Sequence, residues 1–148
     1  MKKKRIMVIG PSRSGKTTIV NKLNNYDGPL RRIPDLIYGE NTIDVPSSYI
    51  EIPWMYKHVI AIAQDASYVL VLIDQSNCEE VYSPGFAKSF KCPVVGVITK
   101  CDLTPQNKEK CKKQLKNIGV EEPYFHISFP LEEGFEELHN YLFRKVEV

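Results

Sequence analysis

A glycine-rich segment near the start of the chain, residues 10–17, most strongly restricts what this sequence can fold into. It reads GPSRSGKT and directly follows the apolar run at residues 6–9. Its glycines let backbone N–H groups approach phosphate oxygens, Lys16 can reach the outer phosphates, and the Thr17 hydroxyl can bind Mg²⁺. The apolar run suits a buried parallel strand, and apolar residues at helical spacing up to Leu23 predict a helix after the loop. We therefore predict that residues 10–17 form a phosphate-binding loop.

The predicted phosphate contacts come from this loop and from the first residues of the helix. They are Gly10, Ser12, Ser14, Gly15, Lys16, Thr17 and Thr18. A helix that begins near Gly15 would direct its free N–H groups and the positive end of its dipole at the phosphates. If the nucleotide is hydrolysed, we expect Lys16, Thr17 and Arg13 to contribute to catalysis. An arginine in the loop can stabilise the transition state from within the same chain, although a solvent-facing side chain is the simpler interpretation.

Length and charge limit the classes of function. The 148 residues suffice for one hydrophobic core, so we predict a single domain over residues 1–148. The net charge of +2 is spread over separated Lys-rich pieces, which argues against a nucleic-acid partner. No apolar run reaches the roughly eighteen residues of a membrane span, and the four cysteines are too widely spaced for a C-x-x-C pair. We expect a cytoplasmic protein with reduced thiols and no membrane contact.

Apolar runs alternate with helical patterns along the chain, which is typical of a parallel sheet covered by helices on both faces. The predicted fold class is therefore α/β, with five strands that are mostly or fully parallel. The predicted strands are residues 4–9, 41–45, 68–73, 94–98 and 124–127. The predicted helices are residues 17–23, 54–64, 84–90, 105–118 and 135–146, of which residues 84–90 form either a brief helix or a turn. Residues 24–40 are predicted to be a loop, Thr104 to cap the fourth helix, and Gly119 to end it.

Polar residues follow the later strands at the edge of the sheet where a ligand binds in such folds. Asp44 can hold Mg²⁺ through water, or it can simply form the turn before a proline. Residues 99–102, which we call the base loop, read Thr-Lys-Cys-Asp. Within it, Asp102 can accept the paired N–H groups of guanine, and the stem of Lys100 can cover the ring. We also expect Thr99 and Ser128 to contribute base contacts.

With these pieces in order, the chain resembles the Ras-like small GTPases and, within them, the EutP/PduV family of ethanolamine and propanediol utilisation. The resemblance lies in IMVIGPSRSGKTT, TIDVPSSYIE, AIAQDASYVLVLIDQSN, SPGFAKSF and PVVGVITKCDL. It implies a three-layer P-loop domain that binds GTP or GDP with Mg²⁺. It also implies a link to the catabolism of small amines or diols, with an enzyme or shell protein of a bacterial microcompartment as partner.

Several positions depart from the pattern of these relatives. Ser47 stands where a glycine usually offers its N–H to the terminal phosphate, and a side chain there should hinder the required backbone rotation. Ile33 stands where a threonine usually closes on Mg²⁺, and Ser48 where a glutamine often orients water. The only nearby glutamine, Gln64, lies in a predicted helix. The pair Arg31 and Arg32 could also meet phosphates, but none of the three histidines is assigned a catalytic role.

Three functions are compatible with these observations. The first is a guanine-nucleotide-binding protein with weak or partner-dependent GTP hydrolysis, because the altered positions should lower the rate more than the affinity. The second is a nucleotide-binding interaction module without turnover, which would dock to a microcompartment protein through residues 24–40. The third is a small-molecule kinase that uses ATP, against which Asp102 argues.

Overall fold

The computed structural model describes residues 5–24, 37–38, 41–79 and 82–143. The strands are β1 (Arg5–Ile9), β2 (Ile37–Tyr38), β3 (Thr42–Asp44), β4 (Ala66–Asp74), β5 (Val94–Thr99) and β6 (Tyr124–His126). The α-helices are α1 (Lys16–Leu23), α2 (Ser48–Glu51), α3 (Tyr56–Ala63), α4 (Lys108–Ile118) and α5 (Phe135–Leu142). Short 3₁₀ turns cover Pro53–Met55, Phe86–Ser89 and Pro105–Asn107.

The strands form one sheet in the order β2-β3-β1-β4-β5-β6. The pairs β3-β1, β1-β4, β4-β5 and β5-β6 are all parallel, so the five predicted strands form the predicted parallel sheet. The carboxyl ends of these five strands therefore meet at one edge. The loops that follow β1, β3, β4, β5 and β6 all lie along that edge, where open α/β sheets bind their ligands.

Two apolar clusters hold the helices on opposite faces of this sheet. On one face, side chains of β1 such as Met7 pack with Val59 of α3 and Leu115 of α4. On the other face, β1 side chains such as Val8 pack with residues of α1 and α5, including Leu138. Each such fully buried aliphatic side chain contributes about 1.5–3 kcal/mol. The alternation along β1 therefore makes it the shared centre of both layers, and the predicted α/β class is confirmed.

The structure also corrects parts of the sequence prediction. Within the segment predicted to be a loop, Ile37–Tyr38 forms a sixth strand that pairs antiparallel with β3. Thr104 does not cap a helix with its side chain; it adopts a left-handed conformation with φ of 46°, and a 3₁₀ turn precedes α4. The short helix α2 was not predicted at all. Gly119 does end α4, with φ of 96°.

Among the described residues, no helix combines the length and the apolar character needed to cross a bilayer.

Gly134 offers a test of the packing beneath the loop after β6. Its φ is +84°, and a Cβ added to it would overlap the carbonyl oxygen of His126. Gly85 has a similar φ of +74°, but no heavy atom of the described residues lies within 4 Å of its added Cβ. We expect Gly85→Ala to lower the unfolding free energy by about 1–2 kcal/mol, through backbone strain alone. Gly134→Ala should lower the unfolding free energy by about 1–3 kcal/mol more than Gly85→Ala does, because the added methyl group overpacks the site.

Urea unfolding of both variants beside the parent chain measures this difference. Equal losses for the two glycines would contradict the proposed steric role of Gly134.

Candidate nucleotide-binding site

The phosphate-binding loop turns tightly from β1 into α1. Gly10 admits no side chain, because an added Cβ would lie 2.6 Å from Ser14 Oγ and 3.0 Å from Leu72 Cβ. The Ser14 N–H donates to the Pro11 carbonyl at 3.2 Å, which closes the turn. Gly15 then starts the helix with a φ of 88°. The two glycines are therefore required by close packing and by a left-handed backbone.

A cavity of about 450 Å³ opens above this loop. It is lined by Pro11, Ser12, Arg13, Ser14, Gly15, Lys16, Thr17, Thr18, Ser47 and Lys100. The structure thus brings most of the predicted phosphate contacts together with Lys100 of the base loop. Gly10 lies behind the loop, buried at the end of β1, and Ser14 is 1% exposed.

Lys16 lines the cavity, and Asp44 lies close enough for the two charges to influence each other. Burial lowers the pKa of Lys16, while the negative charges of Asp44 and Glu51 raise it. Burial raises the pKa of Asp44, and the positive charge of Lys16 opposes that shift. The two groups therefore stabilise each other's charged forms in a partly desolvated setting. A phosphate that enters here would add negative charge beside Lys16 and favour its protonated state.

Thr17 and Asp44 supply the oxygen chemistry that Mg²⁺ requires. Thr17 lines the cavity next to Lys16, and Asp44 ends β3, the strand next to β1. Mg²⁺ is usually held by one or two protein oxygens together with water and phosphate oxygens. The half-buried carboxylate and the hydroxyl fit this pattern. Among the described residues there is no group of three or more His, Cys, Asp or Glu side chains that could hold a metal by themselves.

Lys100 connects the base loop to the phosphate-binding loop. Its ammonium donates to the carbonyl oxygen of Arg13 at 2.9 Å and pairs with Asp74 Oδ2 at 2.9 Å. Lys100 takes a left-handed conformation with φ of 55°, which is uncommon for a non-glycine residue. The loops after β1 and β5 and the end of β4 therefore meet at one cation.

The other predicted base contacts lie near Lys100 but outside the lining of the cavity. Thr99 is 1% exposed, and its hydroxyl donates to the Ile73 carbonyl at 3.3 Å. Ser128 is also buried, and it exchanges backbone hydrogen bonds of 3.0 and 2.9 Å with Glu133. Asp102 is half-exposed. The Cys101 N–H donates to the Ile127 carbonyl at 3.1 Å, so the base loop and the loop after β6 adjoin.

Arg13 is exposed and has a φ of 64°. Its carbonyl oxygen, rather than its guanidinium, makes the contact with Lys100, so its catalytic role stays a prediction. The predicted site residues Arg31, Arg32 and Ile33 lie outside the described part of the chain.

Two polar residues that the sequence did not single out support the base loop. Asp74 accepts hydrogen bonds from the Ser76 N–H and Oγ at 2.8 and 2.6 Å, in addition to its pair with Lys100. Gln75 is 1% exposed, and its Nε2 donates to the carbonyls of Cys101 at 3.1 Å and Leu103 at 2.8 Å. The sequence signal that could have identified these two residues is an acidic residue followed by a glutamine at the end of a buried apolar strand.

A third feature missed at the sequence level lies on the opposite side of the phosphate-binding loop. Glu51, the last residue of α2, accepts hydrogen bonds at its Oε1 from the Ser12 N–H at 3.1 Å and the Ser12 hydroxyl at 3.0 Å. Ser12 Oγ and Ser47 Oγ are 2.9 Å apart. Glu51 thus reaches across 39 positions of sequence to the mouth of the cavity.

A phosphate-binding loop after β1 and a base loop after β5, on a parallel sheet of this order, define the P-loop nucleotide-binding fold. The chain belongs to the family described as "Ethanolamine utilisation - propanediol utilisation", whose model matches residues 3–144. It is 30% identical over 123 residues to the "Propanediol utilization protein PduV" of Citrobacter freundii, covering 82% of each chain. The family resemblance predicted from the sequence motifs is thereby confirmed.

Solved structures share the fold at low sequence identity. The chain superposes with a TM-score of 0.69 and 19% identity on elongation factor SelB from Methanococcus maripaludis, solved with a GTP analogue, covering 100% of this chain and 36% of that one. It matches a probable GTP-binding protein engB with a TM-score of 0.68 and 17% identity, and the match covers 94% of this chain and 96% of that one. It matches the FeoB G-domain of Methanococcus jannaschii with a TM-score of 0.66 and 20% identity, over 96% of each.

The role of Gln75 can be tested by Gln75→Ala. This change removes the donor to two carbonyls of the loop after β5 and should lower the unfolding free energy by about 2 kcal/mol or more. Urea unfolding measures the loss. Gln106→Ala, at an exposed glutamine in the neighbouring 3₁₀ turn, is the matched control and should change stability by less than about 0.5 kcal/mol. Similar stability for the two variants would contradict a bracing role for Gln75.

Proposed function

We propose that this chain binds guanine nucleotides with Mg²⁺ and serves ethanolamine or propanediol catabolism, with GTP hydrolysis that is weak or depends on a partner. The observation that carries this proposal is the contact between Lys100 Nζ and the Arg13 carbonyl, 2.9 Å long. It sets the base loop at a fixed distance from the phosphate-binding loop. One nucleotide can then span both loops, with its base at Asp102 and its phosphates above Lys16.

Guanine is favoured over adenine by the chemistry of Asp102. A carboxylate accepts the two neighbouring N–H groups that guanine presents and adenine lacks. The structural neighbours support the same choice, since SelB was solved with a GTP analogue and engB is a probable GTP-binding protein. This argues against the alternative of an ATP-using kinase for small molecules.

The phosphate end of the site supports binding more strongly than turnover. Lys16 would neutralise the outer phosphates, while Thr17 and Asp44 would hold Mg²⁺, which supplies charge stabilisation at the phosphoryl group. Ser48 is exposed at the start of α2 and cannot orient water as a longer glutamine side chain does. Ser47, in a helical conformation with φ of −59°, has its hydroxyl directed to Ser12. We infer slow hydrolysis in the absence of a partner.

An interaction module without physiological turnover is the second candidate. Large apolar side chains stand exposed directly after α2, with Trp54 67% and Ile52 36% exposed. They follow Glu51, which contacts Ser12 of the phosphate-binding loop, so a microcompartment enzyme or shell protein that docks on them could sense the bound nucleotide. Most of residues 24–40, the docking segment expected from the sequence, lies outside the described part of the chain. The two candidates share the nucleotide and the cytoplasmic or microcompartment setting, and they differ only in whether hydrolysis resets the complex.

Calorimetric titration with GTP, GDP and ATP, each with and without Mg²⁺, tests the binding proposal. We expect GTP and GDP to bind at least roughly tenfold more tightly than ATP. Asp102→Asn should weaken guanine-nucleotide binding by about ten- to hundred-fold, because a hydrogen bond to a charged group contributes about 1.5–3 kcal/mol. Glu121→Gln, an exposed site before β6, is the control and should leave the affinities unchanged. Equal binding of GTP and ATP would contradict the choice of base.

Single-turnover hydrolysis of GTP tests the catalytic part. We expect a rate constant on the order of 10⁻⁴ s⁻¹ or lower, the range of small GTPases without an activating partner. Rapid hydrolysis, near 1 s⁻¹, that Lys16→Ala abolishes would show that Ser47 and Ser48 do not weaken catalysis.

A further inference from the structure

The Glu51 carboxylate occupies part of the phosphate-binding loop itself. Its Oε1 accepts both the backbone N–H and the hydroxyl of Ser12, at 3.1 and 3.0 Å. Because the Ser12 hydroxyl proton is directed to Glu51, the 2.9 Å contact between Ser12 and Ser47 requires the Ser47 hydroxyl to be the donor. A chain of hydrogen bonds therefore runs from Ser47 through Ser12 to Glu51. The carboxylate holds a loop N–H that phosphates use in sites of this kind.

The sheet order shows which end of a nucleotide Glu51 would meet. The base loop follows β5, the Asp44 carboxylate ends β3, and β1 with its phosphate-binding loop lies between them. A nucleotide with its base over β5 therefore extends its phosphates toward β3. Glu51 and Ser47 lie on that same side, because they follow Asp44 in the chain and contact Ser12. The phosphate nearest Glu51 is the terminal one.

The fold holds Glu51 in this place. Helix α2 begins four positions after Asp44, the last residue of β3, and its Ile50 is 1% exposed in the core. The Tyr49 N–H donates to the Pro46 carbonyl at 3.0 Å and the Glu51 N–H to the Ser47 carbonyl at 3.1 Å. Anchoring Ile50 in the core directs the next residue toward the loop mouth. Glu51 is nevertheless exposed, so a ligand can displace its side chain without breaking the core.

The charge of Glu51 acts where the charge of a terminal phosphate would act. The carboxylate raises the pKa of Lys16, as Asp44 does, so it already supplies part of the negative charge that stabilises the lysine ammonium. A terminal phosphate would compete for the Ser12 N–H, which has one proton, and would bring like charge close to the carboxylate. A diphosphate lacks this competing group.

We propose that Glu51 is a specificity-determining residue that disfavours the nucleoside triphosphate relative to the diphosphate by holding the Ser12 donors of the terminal-phosphate position. This inference rests on the proposed guanine-nucleotide binding. GTP binds only after the carboxylate swings away from Ser12, whereas GDP binds with the Glu51–Ser12 contact in place. The end of α2 thereby senses the terminal phosphate even though Ser47 replaces the glycine of the relatives.

The test compares the dissociation constants of GDP and a non-hydrolysable GTP analogue, with Mg²⁺, for the parent chain and for Glu51→Gln. Glutamine keeps the size of the side chain and removes its charge. We expect the variant to bind the GTP analogue at least about tenfold more tightly and GDP within about threefold of the parent, so the ratio of the two constants falls. Glu137→Gln, at an exposed glutamate on α5, should leave the ratio unchanged. Circular dichroism verifies that each variant is folded.

Two further measurements separate this role from a general loss of charge. Ser12→Ala removes one of the two donors to Glu51 and should shift the ratio of dissociation constants in the same direction by a smaller factor. The shift of this ratio in the double variant should exceed the shift in Glu51→Gln by less than about twofold. Trp54, the one tryptophan of the chain, lies three positions after Glu51 and reports on movement of this segment. Its emission should change with the GTP analogue and stay near that of the free protein with GDP.

The outcomes distinguish the two proposals. A parent chain that binds neither GDP nor the GTP analogue overturns the proposed function and this inference together. A parent chain that binds both, with a ratio that Glu51→Gln does not change or shifts toward GDP, overturns the role of Glu51 alone. Equal Trp54 emission in the two complexes overturns the displacement of Glu51.

Discussion

The Lys100 ammonium is the contact on which the geometry of the site depends. It joins the Arg13 carbonyl of the phosphate-binding loop to the Asp74 carboxylate at the end of β4. These groups meet because β1, β4 and β5 are consecutive neighbours in a parallel sheet. The left-handed conformation of Lys100 is uncommon for a residue with a side chain, and the ion pair with the nearly buried Asp74 helps to hold it. This one cation therefore fixes the distance between the base loop and the phosphate-binding loop.

The two ends of the site differ in how firmly they are built. At the base end, the buried Gln75 holds the carbonyl of Cys101 within the base loop and that of Leu103 just after it, and Asn107 in turn donates to the Gln75 carbonyl at 3.0 Å. At the phosphate end, an exposed glutamate on a helix of four residues makes the contact to Ser12. A small number of exposed hydrogen bonds is easily exchanged for a ligand. The proposed base end is therefore braced by buried hydrogen bonds, whereas the proposed response to the terminal phosphate involves a displaceable side chain.

Features set by neighbouring residues were predictable, and features set by distant contacts were not. The phosphate-binding loop, the five parallel strands and the end of α4 at Gly119 follow from apolar periodicity and from glycine chemistry. The antiparallel strand Ile37–Tyr38 exists because β3 offers it a partner, which no local pattern reveals. Thr104 reads as a helix cap, yet it takes a left-handed turn because a 3₁₀ segment starts there. Tertiary pairing overrode local propensity in the first case, and a different local turn replaced the expected cap in the second.

The sequence by itself determined the class of fold, the family and the types of group in the proposed nucleotide site, because strand periodicity and the GPSRSGKT and TKCD strings are local properties. Only the tertiary structure decided how those groups are held. Asp74, Gln75 and Glu51 have ordinary neighbours in sequence, and their partners lie 26, 28 and 39 positions away. Hydrogen bonds over such separations form only when the sheet order brings the loop ends together. The physical reason is that charge and hydrogen-bond complementarity act over a few ångströms in space, whatever the distance along the chain.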